Sequence, residues 1–311
     1  MLSNNTFLGI EIGGTKLQLV VADASMRIEQ QVRYAIDPAG GAEHIKNQLE
    51  EGWKSLESPD KIAAIGVGFG GPVDWKKGTI RVSHQVEGWG DFNFSTWLQQ
   101  LTGKRVAIEN DANTAALAEA LYGSGNGYAR VFYMTIGSGI GGGLIVDGDI
   151  YHGRTPGEVE VGHLRLTKEG DTLESRCSGW AVNKKVRAYM DQQPGNLLAQ
   201  LHARQSAPEA TVLQPALESG DAAAKRIVDE IADDLAFALS HVVHLFHPDV
   251  IIMGGGLSLL KESLRRPVSR QLSQYVMQAF LPPPPVQIAS LEENVVPIGA
   301  IELAKRIVAV S

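Results

Sequence analysis

Three short glycine-rich runs in this sequence have residue types and spacing that could bind a ligand. Gly13-Gly14-Thr15-Lys16 follows an apolar stretch, and so does Gly137-Ser138-Gly139. Because glycine leaves backbone N–H groups uncovered, such turns can bind an anion such as phosphate. For one isolated turn a plain hairpin would be the better interpretation. A third run, Gly254-Gly255-Gly256, again follows an apolar stretch, and three such runs together favour phosphate binding.

Residues 137–142 also satisfy the pattern G-x-G-x-x-G of dinucleotide-binding folds. That pattern has a mechanism only where a helix follows, because the helix N-terminus holds the pyrophosphate. Here the following residues read GLIVDGDIY, which is typical of a strand. We therefore predict a glycine-tipped hairpin and reject a dinucleotide site.

Acidic and imidazole side chains supply the candidate reactive groups. Asp111 stands between the apolar segment RVAIEN and an alanine-rich segment, so it lies where a strand passes into a helix. An aspartate there can cap the helix, which its position alone favours, or accept a proton from a hydroxyl. Glu160 and His163, three residues apart in a polar stretch, could bind sugar hydroxyls or could be ordinary loop residues.

The elements that must position these groups follow from hydrophobic periodicity. Residues 8–23 and 132–147 share one pattern: apolar strand, glycine turn, apolar strand and a closing aspartate. Further strands are predicted at 62–74, 105–110, 248–254 and 286–290, and helices at 42–56, near 97, at 112–122, through much of 182–246 and at the C-terminus. The repeat predicts two related halves facing a cleft, where ligands usually bind.

Composition excludes several functional classes. The 311 residues carry 28 Lys+Arg and 35 Asp+Glu, so the net charge of −7 argues against nucleic acid. Cys177 is the single cysteine, which leaves neither an internal disulfide nor a thiolate cluster for zinc. With neither a basic leader nor an apolar run of about 18 residues, we expect a cytoplasmic protein without a membrane partner.

Five segments together resemble one family. GGTK, TIGSGIGGG, IENDANTAALAE, EVGH and IIMGGG occur in the order found in the ROK family of sugar kinases and sugar-responsive repressors. The resemblance covers about residues 8–305 and implies an α/β, two-domain actin-like ATPase fold (hexokinase-type, ribonuclease H-like) with an inter-domain cleft. We place an N-terminal domain at 1–115, with a C-terminal helix at 298–311 packed back on it, and a larger domain at 116–297.

The resemblance also implies roles for individual residues. Asp111 would be the general base, and the sugar would contact Gly71, Asn110, Asp111, Glu160 and His163. The phosphates of ATP, with Mg²⁺, would face Gly13, Gly14, Thr15 and Lys16 on one side and Thr135, Gly137, Ser138 and Gly139 on the other. Gly255 and Gly256 would let the backbone approach the adenosine.

Two departures from the family pattern affect metal binding. Glu11 stands where the family usually has aspartate, although it could still hold Mg²⁺ through water. The family's zinc motif is missing: Gly179 stands where a second cysteine would be, and the glutamate that follows the cysteine cluster has no clear counterpart. We therefore predict no zinc site and a loop at 164–180 held by packing and hydrogen bonds.

These residues predict ATP-dependent phosphorylation of a hexose, glucose-like and at the 6-hydroxyl. The alternatives are a sugar-binding ROK protein with a regulatory role and a DNA-binding repressor. The repressor is disfavoured because the first core strand begins by residue 7, leaving no room for a helix-turn-helix, and because the chain is acidic. The preferred sugar and the choice between ATP and polyphosphate stay open. The resemblance favours a homodimer or higher homo-oligomer.

Overall fold

The computed structural model describes residues 5–81, 86–155 and 159–309. Its strands are β1 (Thr6–Ile12), β2 (Lys16–Asp23), β3 (Ile28–Ala35), β4 (Ile62–Phe69), β5 (Val73–Asp74), β6 (Thr79–Ile80), β7 (Phe92–Asn93), β8 (Arg105–Asn110), β9 (Arg130–Ile136), β10 (Ile140–Val146), β11 (Asp149–Ile150), β12 (Val250–Gly254) and β13 (Val286–Ile288). Its α-helices are α1 (Gly41–Lys54), α2 (Phe94–Thr102), α3 (Asp111–Tyr122), α4 (Leu173–Cys177), α5 (Gly179–Gln192), α6 (Leu197–His202), α7 (Leu213–Glu218), α8 (Ala222–Phe246), α9 (Glu262–Tyr275) and α10 (Val295–Ala309). Within these described ranges no helix is long and apolar enough to cross a membrane.

The chain divides into two compact units. The first contains residues 1–126, 143–159 and 291–311, and the second contains residues 127–142 and 160–290. Helix α3 therefore lies wholly in the first unit, whereas the sequence-based boundary stood at residue 115. The C-terminal helix α10 packs on β1, β4 and α3 within that same unit.

The sheet of the first unit positions three chain segments at one edge. Its order is β3-β2-β1-β4-β8, with β1 antiparallel to β2 and parallel to β4, and β4 parallel to β8. Strands β1 and β4 are buried almost throughout, as expected for central strands covered on both faces. Ile12 pairs with Phe69, and Phe69 pairs with Asn110, so the carboxyl ends of the three parallel strands are level. Ligands of α/β sheets usually bind at such an edge.

Helix α10 packs closely on β4 and α3 because a glycine, which has no side chain, lies at each of these two contacts. A Cβ on Gly66, in β4, would overlap the carbonyl oxygen of Ala300 in α10. A Cβ on Gly299 would likewise overlap the carbonyl oxygen of Thr114 in α3. Backbone therefore packs directly on backbone between α10 and its neighbours.

The second five-stranded sheet repeats the strand order of the first. Its order is β11-β10-β9-β12-β13, so that β9, β10 and β12 correspond to β1, β2 and β4. Strands β9 and β12 are parallel, as are β12 and β13. The predicted repeat is confirmed, and so is the hairpin: strand β10, rather than a helix, follows the turn at 137–139.

Candidate active site

The first glycine turn and Asp111 lie together at the carboxyl edge of the first sheet. The N–H of Gly70 donates to the carbonyl oxygen of Ile12 at 2.8 Å. A Cβ built on Gly70 would lie 3.4 Å from Oδ2 of Asp111 and 3.5 Å from Cα of Gly13. Residues that are about a hundred positions apart in sequence are thus neighbours, because β1, β4 and β8 are adjacent.

Asn110, rather than Asp111, is the N-cap of α3. Its Oδ1 accepts hydrogen bonds from the N–H groups of Ala112 at 2.8 Å and Asn113 at 3.2 Å. Its Nδ2 donates to the carbonyl oxygen of Gly71 at 3.2 Å. The capping interpretation of Asp111 is therefore wrong, because Asp111 is the first helical residue. A carboxylate at this position is favoured by the partial positive charge of the helix N-terminus.

Lys16 and Glu11 form an ion pair beside this edge. Nζ of Lys16 lies 2.9 Å from Oε2 of Glu11, and Nε2 of Gln18 donates to the same oxygen at 2.8 Å. Burial raises the pKa of Glu11, and the charge of Lys16 opposes that rise. An ammonium and an amide therefore already use Oε2 of Glu11, and a metal ion binding this oxygen directly would compete with them.

The turn at 137–139 is held by two helices of the second unit. The N–H of Gly137 donates to the carbonyl oxygen of Gly139 at 2.9 Å, which closes the turn. The N–H of Ile140 donates to Oε2 of Glu174 at 2.7 Å, and the N–H of Gly179 donates to the carbonyl oxygen of Gly137 at 2.7 Å. Gly179 stands where the family's second cysteine would be, and here its backbone contacts the backbone of Gly137 closely.

Glu174 is the residue that sequence reasoning missed. It lies in the first turn of α4, whose N-cap Thr172 forms a reciprocal capping box with Ser175. The spacing of Thr172 and Ser175 before the buried Cys177 was a usable signal for this short helix. Its carboxylate accepts from the N–H of Ile140 and so lies beside the glycine turn. Glu174 precedes Cys177, whereas the glutamate without a clear counterpart would follow it.

The segment with Glu160 and His163 packs against the same turn. Gly162 lies so close to the carbonyl oxygen of Ile140 that a Cβ would overlap it. Both Glu160 and His163 are exposed, so a ligand could reach either side chain. They belong to the second unit, whereas Asn110 and Asp111 belong to the first, so a shared sugar site stays a prediction. The preceding Gly157 and Glu158 lie outside the described residues.

The third glycine run also meets the end of β9. Thr135 pairs with Gly254 across the sheet. Gly255 has φ +80°, a left-handed conformation that favours glycine, and a Cβ there would lie 2.6 Å from the backbone nitrogen of Ile136. Gly256 starts the following turn, and Ser138 is exposed at the hairpin tip. Within the second unit, the structure therefore brings the predicted nucleotide-binding residues together.

The loop at 164–180 is held by hydrogen bonds and by two ion pairs of Arg176, with Asp171 and with Asp234. The N–H of Leu173 donates to the carbonyl oxygen of Leu164 at 2.9 Å, and Nε of Arg176 lies 2.9 Å from Oδ2 of Asp234. Burial and the nearby charge of Asp234 raise the pKa of Cys177 to about 12, so at neutral pH it is a thiol and a poor metal ligand. In the part of the chain described here, no group of three or more potential metal ligands occurs.

We expect the purified protein to contain no stoichiometric zinc, since structural zinc sites normally use four ligands rich in thiolate. Elemental analysis after purification without chelators checks this. About one tightly held zinc per chain would contradict the prediction.

Two similar sheets, each with a glycine-tipped hairpin beside parallel strands, define an actin-like ATPase fold of the hexokinase type. The family model described as "ROK family" matches residues 7–307, and the chain belongs to this family.

Individual relatives are similar over nearly the whole chain. A glucokinase from Thermotoga maritima is 28% identical over 306 residues, covering 96% of each chain. An N-acetylgalactosamine kinase, AgaK, from a Shewanella species is 30% identical and covers 83% of this chain and 84% of its own. The crystal structure of a ROK family glucokinase from Streptomyces griseus, in complex with glucose and AMPPNP, superposes with a TM-score of 0.86 at 28% identity. It covers 97% of this chain and 100% of that one.

Proposed function

We propose that this chain transfers the γ-phosphate of ATP to the 6-hydroxyl of a glucose-like hexose, with Asp111 as the general base. The broader statement, that it is an ATP-dependent sugar kinase, follows from its family and from glucokinase relatives matched over almost their full length. One observation carries the finer proposal. The Asp111 carboxylate lies at the carboxyl edge of the first sheet, next to Gly70 and the turn that begins at Gly13.

In this proposal Asp111 accepts the proton of the sugar hydroxyl as its oxygen attacks the γ-phosphorus. The bond between the γ-phosphorus and the bridging oxygen breaks, and ADP leaves with the electron pair. A base that also aims the hydroxyl must be held rigidly. Its place in the first turn of α3 provides this.

The sugar would be bound by the residues that the family resemblance implies. Gly71 and Asn110 lie beside Asp111, and the hydrogen bond between them holds the strand end in place. Glu160 and His163 offer an exposed carboxylate and imidazole, which suit the several hydroxyls of a hexose. The N-acetylgalactosamine kinase among the relatives leaves the choice of sugar to experiment.

The phosphates would be bound by backbone N–H groups of the two hairpin turns. On the first turn these are Gly14 and Thr15, with Gly13 and the ammonium of Lys16 beside them; the N–H of Gly13 donates to the carbonyl oxygen of Lys16 at 2.9 Å. Lys16 has three N–H donors, so it can keep its ion pair with Glu11 and still donate to a phosphate. On the second turn Ser138 and Gly139 would supply N–H groups, with Thr135 and Gly137 beside them; the N–H of Gly137 closes the turn instead. Gly255 and Gly256 would lie along the adenosine.

Mg²⁺ would accompany ATP and neutralise charge on its phosphate oxygens. Mg²⁺ in such sites commonly needs only one or two protein carboxylates besides phosphates and water. Glu11, beside the first glycine turn, could hold Mg²⁺ through water. A cytoplasmic location and a homodimeric or higher assembly also stay predictions.

A coupled assay that follows ADP across a panel of hexoses and hexosamines tests the proposed function. We expect turnover with ATP and a glucose-like hexose, and a product phosphorylated at O6 by ³¹P and ¹³C NMR. A parallel series with inorganic polyphosphate identifies the preferred donor. Sugar binding measured by calorimetry, without turnover on any member of the panel, would instead favour the regulatory alternative.

Gly139→Ala should raise the KM for ATP and leave sugar affinity nearly unchanged. The new Cβ would lie 2.6 Å from the Glu174 carboxylate, which must then release the N–H of Ile140 and loosen the turn. Gly90→Ala is a steric control outside the proposed site, because a Cβ there would meet nothing within 4 Å. Steady-state kinetics with both substrates checks this. Equal loss of sugar and ATP affinity in Gly139→Ala would indicate general damage to the fold.

A further inference from the structure

A buried carboxylate immediately precedes the Asn110–Asp111 pair. Glu109 is 2% exposed at the end of β8. Its Oε1 accepts from the N–H of Asn110 at 2.8 Å and from Nδ2 of Asn113 at 3.3 Å. One carboxylate oxygen therefore holds the backbone just before Asp111 and a side chain in the first turn of α3.

His152 holds the other oxygen of this carboxylate. Its Nε2 lies 2.6 Å from Oε2 of Glu109 and donates to it when Glu109 is ionised. A buried carboxylate needs such donors, because burial without them is costly. His152 lies just after β11, far from β8 in sequence, so it ties a separate segment to the strand end that carries Asp111.

The imidazole of His152 is itself held by an aromatic ring. It stacks on Trp75 with ring centroids 4.2 Å apart and an interplanar angle of 20°. Trp75 follows β5, in the segment whose Gly71 carbonyl accepts from Asn110. Trp75, His152 and Glu109 thus form a chain of contacts around the junction of β8 and α3.

We propose that His152 is a positioning residue for the phosphoryl transfer: through Glu109 it holds Asp111 in the orientation that the reaction requires. This inference rests on the proposed function, in which Asp111 is the base. A displacement of about 1 Å in a reacting group can cost roughly 100-fold in rate, so loss of this support should appear in kcat. A purely structural His152 would change stability and leave the kcat of the folded protein unaltered.

Two substitutions separate the donor of His152 from its ring. His152→Phe keeps a ring that can stack on Trp75 but has no donor for Glu109. His152→Gln has no ring but keeps an N–H donor of similar reach. We expect His152→Phe to lower kcat by about 10- to 100-fold with the KM for ATP nearly unchanged, and His152→Gln to recover most of the loss.

His152→Phe leaves the buried Oε2 of Glu109 without the donor that His152 supplies, which could destabilise the fold. A second variant therefore separates loss of stability from loss of positioning. Glu109→Gln combined with His152→Phe replaces the buried charge by a neutral amide that can still accept from Asn110. We expect this double variant to melt near the wild-type temperature and to keep the low kcat. If the double variant regained both the wild-type melting temperature and the wild-type kcat, the inference would be overturned, since the role of His152 would then be structural.

Asp111→Asn, measured in parallel, distinguishes failure of the inference from failure of the proposed function. If Asp111→Asn loses turnover while a folded His152→Phe keeps kcat within about twofold of wild type, the inference about His152 is wrong and the base stands. Near-normal turnover in Asp111→Asn removes the base, and the inference falls with it.

Discussion

Replacing Asp111 with asparagine should lower kcat by at least about 100-fold, the lower figure for the loss of a general base. The amide matches the carboxylate in size and can still contact a hydroxyl, but it cannot accept the proton. Sugar affinity should therefore change little. Initial-rate kinetics at saturating sugar and ATP measures kcat, and calorimetry measures sugar binding.

The same substitution should scarcely change stability. The N-cap of α3 is Asn110, so Asp111→Asn leaves the cap bonds to Ala112 and Asn113 in place. It removes a favourable charge at the helix N-terminus, about 0.3–1 kcal/mol, while the amide oxygen can still accept from the N–H of Ala112 as Oδ1 of Asp111 does at 2.9 Å. Asp221→Asn, at the N-cap of α8, is a matched control that should keep both activity and stability because asparagine caps as well as aspartate. Near-normal turnover in folded Asp111→Asn would remove this residue from the mechanism.

Gly66→Ala should lower the free energy of unfolding by about 3 kcal/mol or more, at or beyond the upper end of ordinary overpacking. The added methyl group would overlap the carbonyl oxygen of Ala300, and that oxygen belongs to helix backbone and cannot rotate away. Helix α10 must therefore move off β1 and β4, which form the centre of the first sheet. Urea unfolding followed by circular dichroism measures the loss.

A second glycine in the same unit provides the control for Gly66→Ala. A Cβ on Gly90 would meet nothing within 4 Å, and Gly90 is not among the glycines with positive φ. Gly90→Ala should therefore be neutral or slightly stabilising, since alanine reduces the entropy of the unfolded chain. If Gly66→Ala lowered the free energy of unfolding by less than about 1 kcal/mol, α10 would have to pack more loosely than the structure shows.

Much of the candidate site could be predicted because its signals are local. The alternation of Leu17, Leu19 and Val21 after Gly13-Gly14 predicts a hairpin, and a hairpin is present. The change from RVAIEN to an alanine-rich segment predicts a strand followed by a helix, and Gly123 ends that helix as expected. Each signal depends on residues within a few positions of one another, where backbone geometry and hydrophobic period dominate.

Other features could not be predicted because they depend on which segments become neighbours. Sequence position favoured Asp111 as the cap, yet the side chain of Asn110 reaches the free N–H groups of the helix. Lys16 was expected to face phosphates, and its ion pair with Glu11 became apparent only once Glu11 and Gln18 were paired across β1 and β2. Glu174 reaches a backbone group 34 residues away, through a fold of the loop that local periodicity does not describe.

The sequence by itself therefore determined most of the central elements, their repeat and the family, because periodicity, turn chemistry and ordered motifs depend on short segments. It did not predict strand β3 at Ile28–Ala35. Only the tertiary structure decided that Gly13, Gly70 and Asp111 lie at one sheet edge and that His152 supports Glu109. It also decided that Gly66 must lack a side chain. The physical reason is that hydrogen bonds and close packing act over a few ångströms, and the chain brings distant residues within that range only when the sheets form.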